Sequence, residues 1–113
     1  MLRTKRVYDG LSKDDGQGVL VDRLWPRGLS KAKLKGVIWL KEIAPGNDLR
    51  KWYHAHLDRA EFRKRYFAEL KKNPEAVAQL RALAKKGRVT LLYASKDVEH
   101  NHADVLAEFL NKK

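Results

Sequence analysis

"GRVTLLYASKD", residues Gly87 to Asp97, decides how this chain folds. Arg88 to Ala94 is apolar or β-branched almost throughout, the composition of a strand covered on both faces rather than one with a wet side. The stretch before it reads as a helix. Asn73-Pro74 puts proline at a first helical position, Val77, Leu80 and Ala84 recur on one side, and Gly87 supplies the stop. The stretch after it, about Asn101 to Asn111, gathers Val105, Leu106, Phe109 and Leu110 on one helical face. A helix, a buried strand and a second helix in that order are the unit of an α/β layer.

Upstream, Asp58 with Glu61 three residues later has the form of a capping box, and Phe62, Tyr66 and Leu70 follow at four-residue spacing toward a core. "GVIWLKEIAP" predicts a strand from Val37 to Ile43, closed by Pro45-Gly46, with Asn47 capping a short helix that carries Leu49, Trp52 and Tyr53. "RTKRVYD" and "GVLVDRLW" are two further short strands. The turn-rich "GLSKDDGQG" divides them, and they are expected to pair as neighbours through a hairpin or an irregular loop. With no repeat, low-complexity tract or linker, the expected fold class is α/β. It is a single compact domain over residues 1–113, with about four strands in a mostly parallel sheet flanked by helices.

Composition narrows the functional classes. The chain has no cysteine, which excludes disulfides, thiolate zinc sites and a cysteine nucleophile and fits a reducing compartment. It lacks a run of about 18 apolar residues, and "MLRTKRVYDG" lacks the apolar centre of a signal peptide. A cytoplasmic location with no membrane partner is therefore expected. Lysine and arginine number 25 against 14 acids, a net charge of +11, and such a field attracts phosphates of any kind.

Ligands of open α/β sheets sit in the crevice beyond the carboxyl ends of the strands. Val19–Val21 empties into Asp22-Arg23-Leu24-Trp25-Pro26-Arg27-Gly28, and Val89–Ala94 into Ser95-Lys96-Asp97, with Asn101 and His102 opening the last helix. If those strands lie parallel and close, these side chains converge on one rim, with the amides of the last helix adding positive potential. Arg23, Arg27 and Lys96 would then hold an anion, with Asn101 beside them and Trp25 as a wall. Asp22, Asp97 and His102 would orient groups or shuttle a proton. Each residue also has a structural reading: an Asp22–Arg23 ion pair fixing a loop, Trp25-Pro26 plugging the core, Asp97 capping a helix.

Other chemistries have less support. His54/His56 and His100/His102 are i,i+2 pairs, which share a face only in extended chain, and no metal or other cofactor is expected. There is no "GxSxG", and Ser95 has only His102 as a partner for nucleophilic work. "RKWYHAH" and "FRKRYF" interleave basic and aromatic residues, the pattern of a nucleic-acid surface, although Trp52, Tyr53, Phe62 and Tyr66 fall equally well at core spacing.

"KRVYDG", "DGQGVLVDRLWPRGLSK", "WLKEIAPGNDLRKWYHAH", "FRKRYFAEL" and "GRVTLLYASKDVEHNHADVL" together resemble the small YeaO-like family, a domain-of-unknown-function group of bacterial and archaeal proteins. The resemblance spans nearly the whole chain, implies a single α/β domain and assigns no activity. Positions matching its motifs include Lys5, Arg6, Tyr8, Asp22, Arg23, Trp25, Pro26, Arg27, Gly28, Trp39, Pro45, Lys96, Asp97, Asn101 and His102. Gly46 and Ser95 depart from the family's usual serine and small residue, which counts against a catalytic Ser95. Three functional classes stand open at this point: a small-molecule enzyme or binder taking an anionic ligand, a non-specific basic nucleic-acid-binding domain, and an interaction module without chemistry. The sequence leaves the oligomeric state undetermined.

Overall fold

The computed structural model describes residues 2–96 and 101–111. Four strands, β1 (Leu2–Arg6), β2 (Gln17–Leu20), β3 (Ile38–Trp39) and β4 (Val89–Tyr93), form one sheet in the order β1-β4-β2-β3. Every pairing in it is parallel. Four helices accompany the sheet: α1 (Asn47–His56), α2 (Arg59–Lys71), α3 (Pro74–Lys86) and α4 (His102–Asn111).

The strand read most clearly from sequence is the centre of the sheet. All five residues of β4 are buried, and Val89 pairs with both Leu2 and Gln17. A strand with no wet side needs a ladder on both edges, whereas β1, with Arg3 exposed and Lys5 and Arg6 half-buried, tolerates an edge position. The two N-terminal strands are consequently not neighbours, contrary to expectation, because β4 lies between them. Residues 7–16 join them through two 3-10 turns, and Thr90 Oγ1 donates to the Asp15 carbonyl at 2.7 Å where this segment passes β4.

The predicted Val37–Ile43 strand is shorter than its pattern. Only Ile38–Trp39 is paired, and Leu40 N adds one bond to Leu20 O at 2.9 Å. A 3-10 turn at Lys41–Ile43 then swings Ile43 into the core. Helix α1 starts one residue early, with Gly46 rather than Asn47 at its cap. Asp58 does cap α2, its Oδ1 accepting from Glu61 N at 3.1 Å.

Alternation along the strands sorts the core into two layers. Val19, Val21, Val89, Leu91 and Tyr93 point to the face where all four helices pack, through Leu49, Phe62, Tyr66, Leu80 and Leu106 among others. Leu20 and Leu92 point the other way, where Val7, Leu34, Trp25, Leu29 and Val37 cover them from irregular chain rather than from helices. The helices thus form a layer on one face only.

Candidate functional site

All four strands run the same way, so their carboxyl ends share one edge of the sheet, and the segments leaving them enclose a cavity of about 490 Å³. Tyr8 follows β1, Asp22 to Arg27 follow β2, Ala44 and Pro45 lie beyond β3, and Ala94 to Lys96 follow β4. Asn101, just before α4, and His102 at its start face the cavity, and Arg50, Tyr53, His54, Arg59 and Phe62 close it from α1 and α2.

Asp22 joins the two central strands. Its Oδ2 accepts from Ala94 N at 2.8 Å, and its Oδ1 lies 2.9 Å from His102 Nε2. The same Nε2 lies 3.0 Å from the Val21 carbonyl. An imidazole nitrogen between two acceptors carries the proton. The proton is directed at Val21, leaving Asp22 Oδ1 buried without a well-aligned hydrogen bond among the described residues. Side chains that are 14 % and 18 % exposed make this a mostly buried contact. The Asp22–Arg23 ion pair of the alternative, structural reading does not form among the described contacts. Arg23 instead turns to the carbonyls of Ala44 and Pro45, at 3.2 and 3.4 Å, and so ties the β2 exit to the loop before α1.

The "WPRG" segment is a rigid bracket. Leu29 N returns to Pro26 O at 3.4 Å across a turn in which Gly28 adopts φ +83°, a left-handed value that favours glycine. Trp25 Nε1 donates to Leu29 O at 2.7 Å, and its ring meets Trp39 edge-on at 5.3 Å. Trp39 Nε1 in turn holds the Asp22 carbonyl at 2.8 Å. Arg27, at the tip of the turn, is exposed.

At α4, Asn101 Oδ1 accepts from Asp104 N at 2.9 Å, and its Nδ2 donates to Asp104 Oδ2 at 3.1 Å. Asn101 therefore lines the cavity chiefly as the residue that fixes the helix start. Deeper in, the Tyr66 hydroxyl donates to Ile43 O at 2.6 Å. Burial, with Glu69 and Asp22 nearby, raises its pKa well above the usual tyrosine value.

Of the residues picked from sequence, Asp22, Arg23, Trp25, Arg27, Lys96, Asn101 and His102 all border this one cavity. Asp97 and His100 lie outside the described residues. Arg50, Arg59, Tyr53 and His54 were missed as site residues. Arg50, Tyr53 and His54 fell in the basic-aromatic run around α1, read there as nucleic-acid surface or core, with His54 also weighed in an i,i+2 histidine pair, while Arg59 lay outside both runs. Those runs divide. Arg65 lies 4.0 Å over Trp52, which His56 stacks on, and Arg63 covers Phe67 while pairing with Glu108 at 2.7 Å. Phe62 and Tyr66 are buried. His54 borders the cavity while His56 sits against Trp52, so the two histidines do not act together.

The charge pattern sets the cavity apart. Arg63, Arg65 and Lys5 have carboxylate partners at 2.7 to 2.9 Å. Arg27, Arg50, Arg59 and Lys96 border the cavity with no acid paired to them among the described residues, where Asp22 alone is acidic in the lining. Nothing in the ordinary needs of folding collects around one hollow four cations without an acid among the described residues.

Fold and site together define a small parallel α/β domain with a cationic cavity at its strand ends. The chain belongs to the inactive DUF488-N3 subclade, whose family model matches residues 1–113. It is 46% identical over 110 residues to the uncharacterized protein YeaO of Escherichia coli K12, covering 96% of each chain. It is 45% identical over 111 residues to the uncharacterized protein Rv3073c of Mycobacterium tuberculosis, covering 97% of this chain and 93% of that one. The uncharacterized protein Mb3100c of Mycobacterium bovis matches to the same extent. No solved structure matches the chain at a significant level. Among the described residues, no helix is long and apolar enough to cross a membrane.

Proposed function

We propose that this protein is a cytoplasmic binder of a phosphorylated small molecule, held in the cavity at the carboxyl ends of its strands. The observation that carries the reading is the group of four cations, Arg27, Arg50, Arg59 and Lys96, left without acidic partners among the described residues around a hollow of about 490 Å³. A volume in this range suits a small organic ligand. Planar guanidinium forks match phosphate oxygens, and the start of α4, where Asn101 and His102 line the cavity, puts the positive end of a helix dipole on the same side. Binding is favoured over turnover because Asp22 and His102 are engaged in joining β2, β4 and α4, and because the family model is described as an inactive subclade.

Inorganic pyrophosphate is the probe. At about 100 times its dissociation constant it should stabilise the fold by about 2.7 kcal/mol, read as a rise in melting temperature. Arg27→Ala and Arg50→Ala should each weaken binding about ten- to hundredfold, the loss of a charge-assisted bond, and leave the unliganded melting point near that of the parent. Lys71→Ala, on the exposed end of α2, should change little. Equal losses at Lys71 and Arg27, with a steep decline in salt, would instead show diffuse attraction of polyanions by the whole +11 surface.

A further inference from the structure

Tyr8 is the feature that anion binding alone leaves unused. It is 40% exposed on the wall of the cavity, yet it is held from two directions. Its hydroxyl donates to the Arg27 carbonyl at 2.7 Å, and the Arg6 guanidinium lies 4.7 Å from its ring centroid. Arg6 is itself tied to the Ser95 carbonyl at 3.1 Å. An exposed tyrosine ordinarily changes rotamer freely on a fast timescale, and ordering it sacrifices side-chain entropy. With Arg6 against one face, the exposed area belongs to the other face and the edge. The ring is thus a prepared flat surface on the wall of a cationic cavity. Leu24, 66% exposed, adds apolar surface to the same lining.

An immobilised aromatic face beside several cations that have no acidic partner among the described residues suits a ligand that is flat and apolar at one end and multiply anionic at the other. The charge balance favours more than one phosphate, since one monoanion would leave most of Arg27, Arg50, Arg59 and Lys96 uncompensated. Resting on the phosphate-binding reading above, we infer that the ligand is a free nucleotide with two or more phosphate groups, its base stacked on Tyr8 and its phosphates against those four cations. A free nucleotide is favoured over a nucleic-acid strand because the basic-aromatic run that could have tracked a strand is largely used internally, Trp52 under Arg65 and Phe67 under Arg63.

Calorimetric titration of the full chain with ADP, pyrophosphate and an eight-residue oligothymidylate tests this. Base stacking should make ADP bind about ten- to hundredfold tighter than pyrophosphate. Tyr8→Leu and Tyr8→Phe both lack the hydroxyl that holds the Arg27 carbonyl and should bind pyrophosphate equally, which also shows that both fold, but Tyr8→Leu should abolish the ADP advantage. Tyr8→Phe, which keeps the ring, should retain most of it. Equal affinities for ADP and pyrophosphate would overturn the nucleotide assignment while leaving the phosphate site standing. Failure of both ligands would remove both readings, and tighter binding of the oligonucleotide than of ADP would replace the free nucleotide with a strand.

Discussion

Removing the Asp22 carboxylate separates its two roles, as a strand clamp and as the negative charge among the cavity's cations. In Asp22→Ala the Ala94 N–H loses its 2.8 Å acceptor, and His102 loses the carboxylate 2.9 Å away. A part-buried donor left unpaired costs about 1–3 kcal/mol. For a chain of this size that corresponds to a fall of roughly 4–12 °C in melting temperature. Asp22→Asn retains an oxygen for Ala94 N and should fall less. Ligand affinity should move the opposite way. Two like unit charges about 7 Å apart at an effective dielectric of about 40 repel by roughly 1 kcal/mol, the scale on which an acid in the lining opposes a phosphate. Either variant should therefore bind pyrophosphate about fivefold tighter. Thermal unfolding followed by circular dichroism and calorimetric titration read the two quantities independently. An alanine variant melting within a degree of the parent would refute the clamp, and weaker pyrophosphate binding by the asparagine variant would refute the electrostatic reasoning.

Asp15 predicts an acid-sensitive contribution to stability. It is buried, accepts from Lys5 Nζ at 2.9 Å and Ser12 N at 2.8 Å, and those bonds, Lys5 first, lower its pKa from 3.8 to about 2. Because the folded value lies below the unfolded one, the stabilisation is complete above pH 4 or so and disappears as pH falls toward about 2. Urea midpoints should drop across that window in the parent and less steeply in Asp15→Asn; identical slopes would exclude Asp15 as a source. Two glycines should respond unequally to alanine. At Gly16, with φ +67°, a Cβ would lie 2.3 Å from the Arg88 carbonyl oxygen, whereas at Gly28, with φ +83°, it would meet nothing within 4 Å. Gly28→Ala should cost about 1–2 kcal/mol in denaturant unfolding, the left-handed backbone penalty alone, and Gly16→Ala clearly more; equal losses would contradict the close approach.

The sequence by itself determined the elements whose signals are local. The apolar run of β4, the Asp58 cap and Phe62–Tyr66–Leu70 spacing of α2, and the proline start and glycine end of α3 each depend on neighbours a few residues away. It also determined one half of the cavity, since Asp22 to Arg27 and Ser95 to Lys96 leave strands whose direction follows once the sheet is parallel. Strand order was decided only in three dimensions, because it depends on which strand must hide both edges, a competition between segments some 70 residues apart. The roles of Arg50, Arg59 and Tyr8 were decided there too. Whether an arginine pairs with an acid or stands open to a cavity, and whether an exposed tyrosine is loose or anchored, is fixed by partners distant in sequence, which no local pattern encodes.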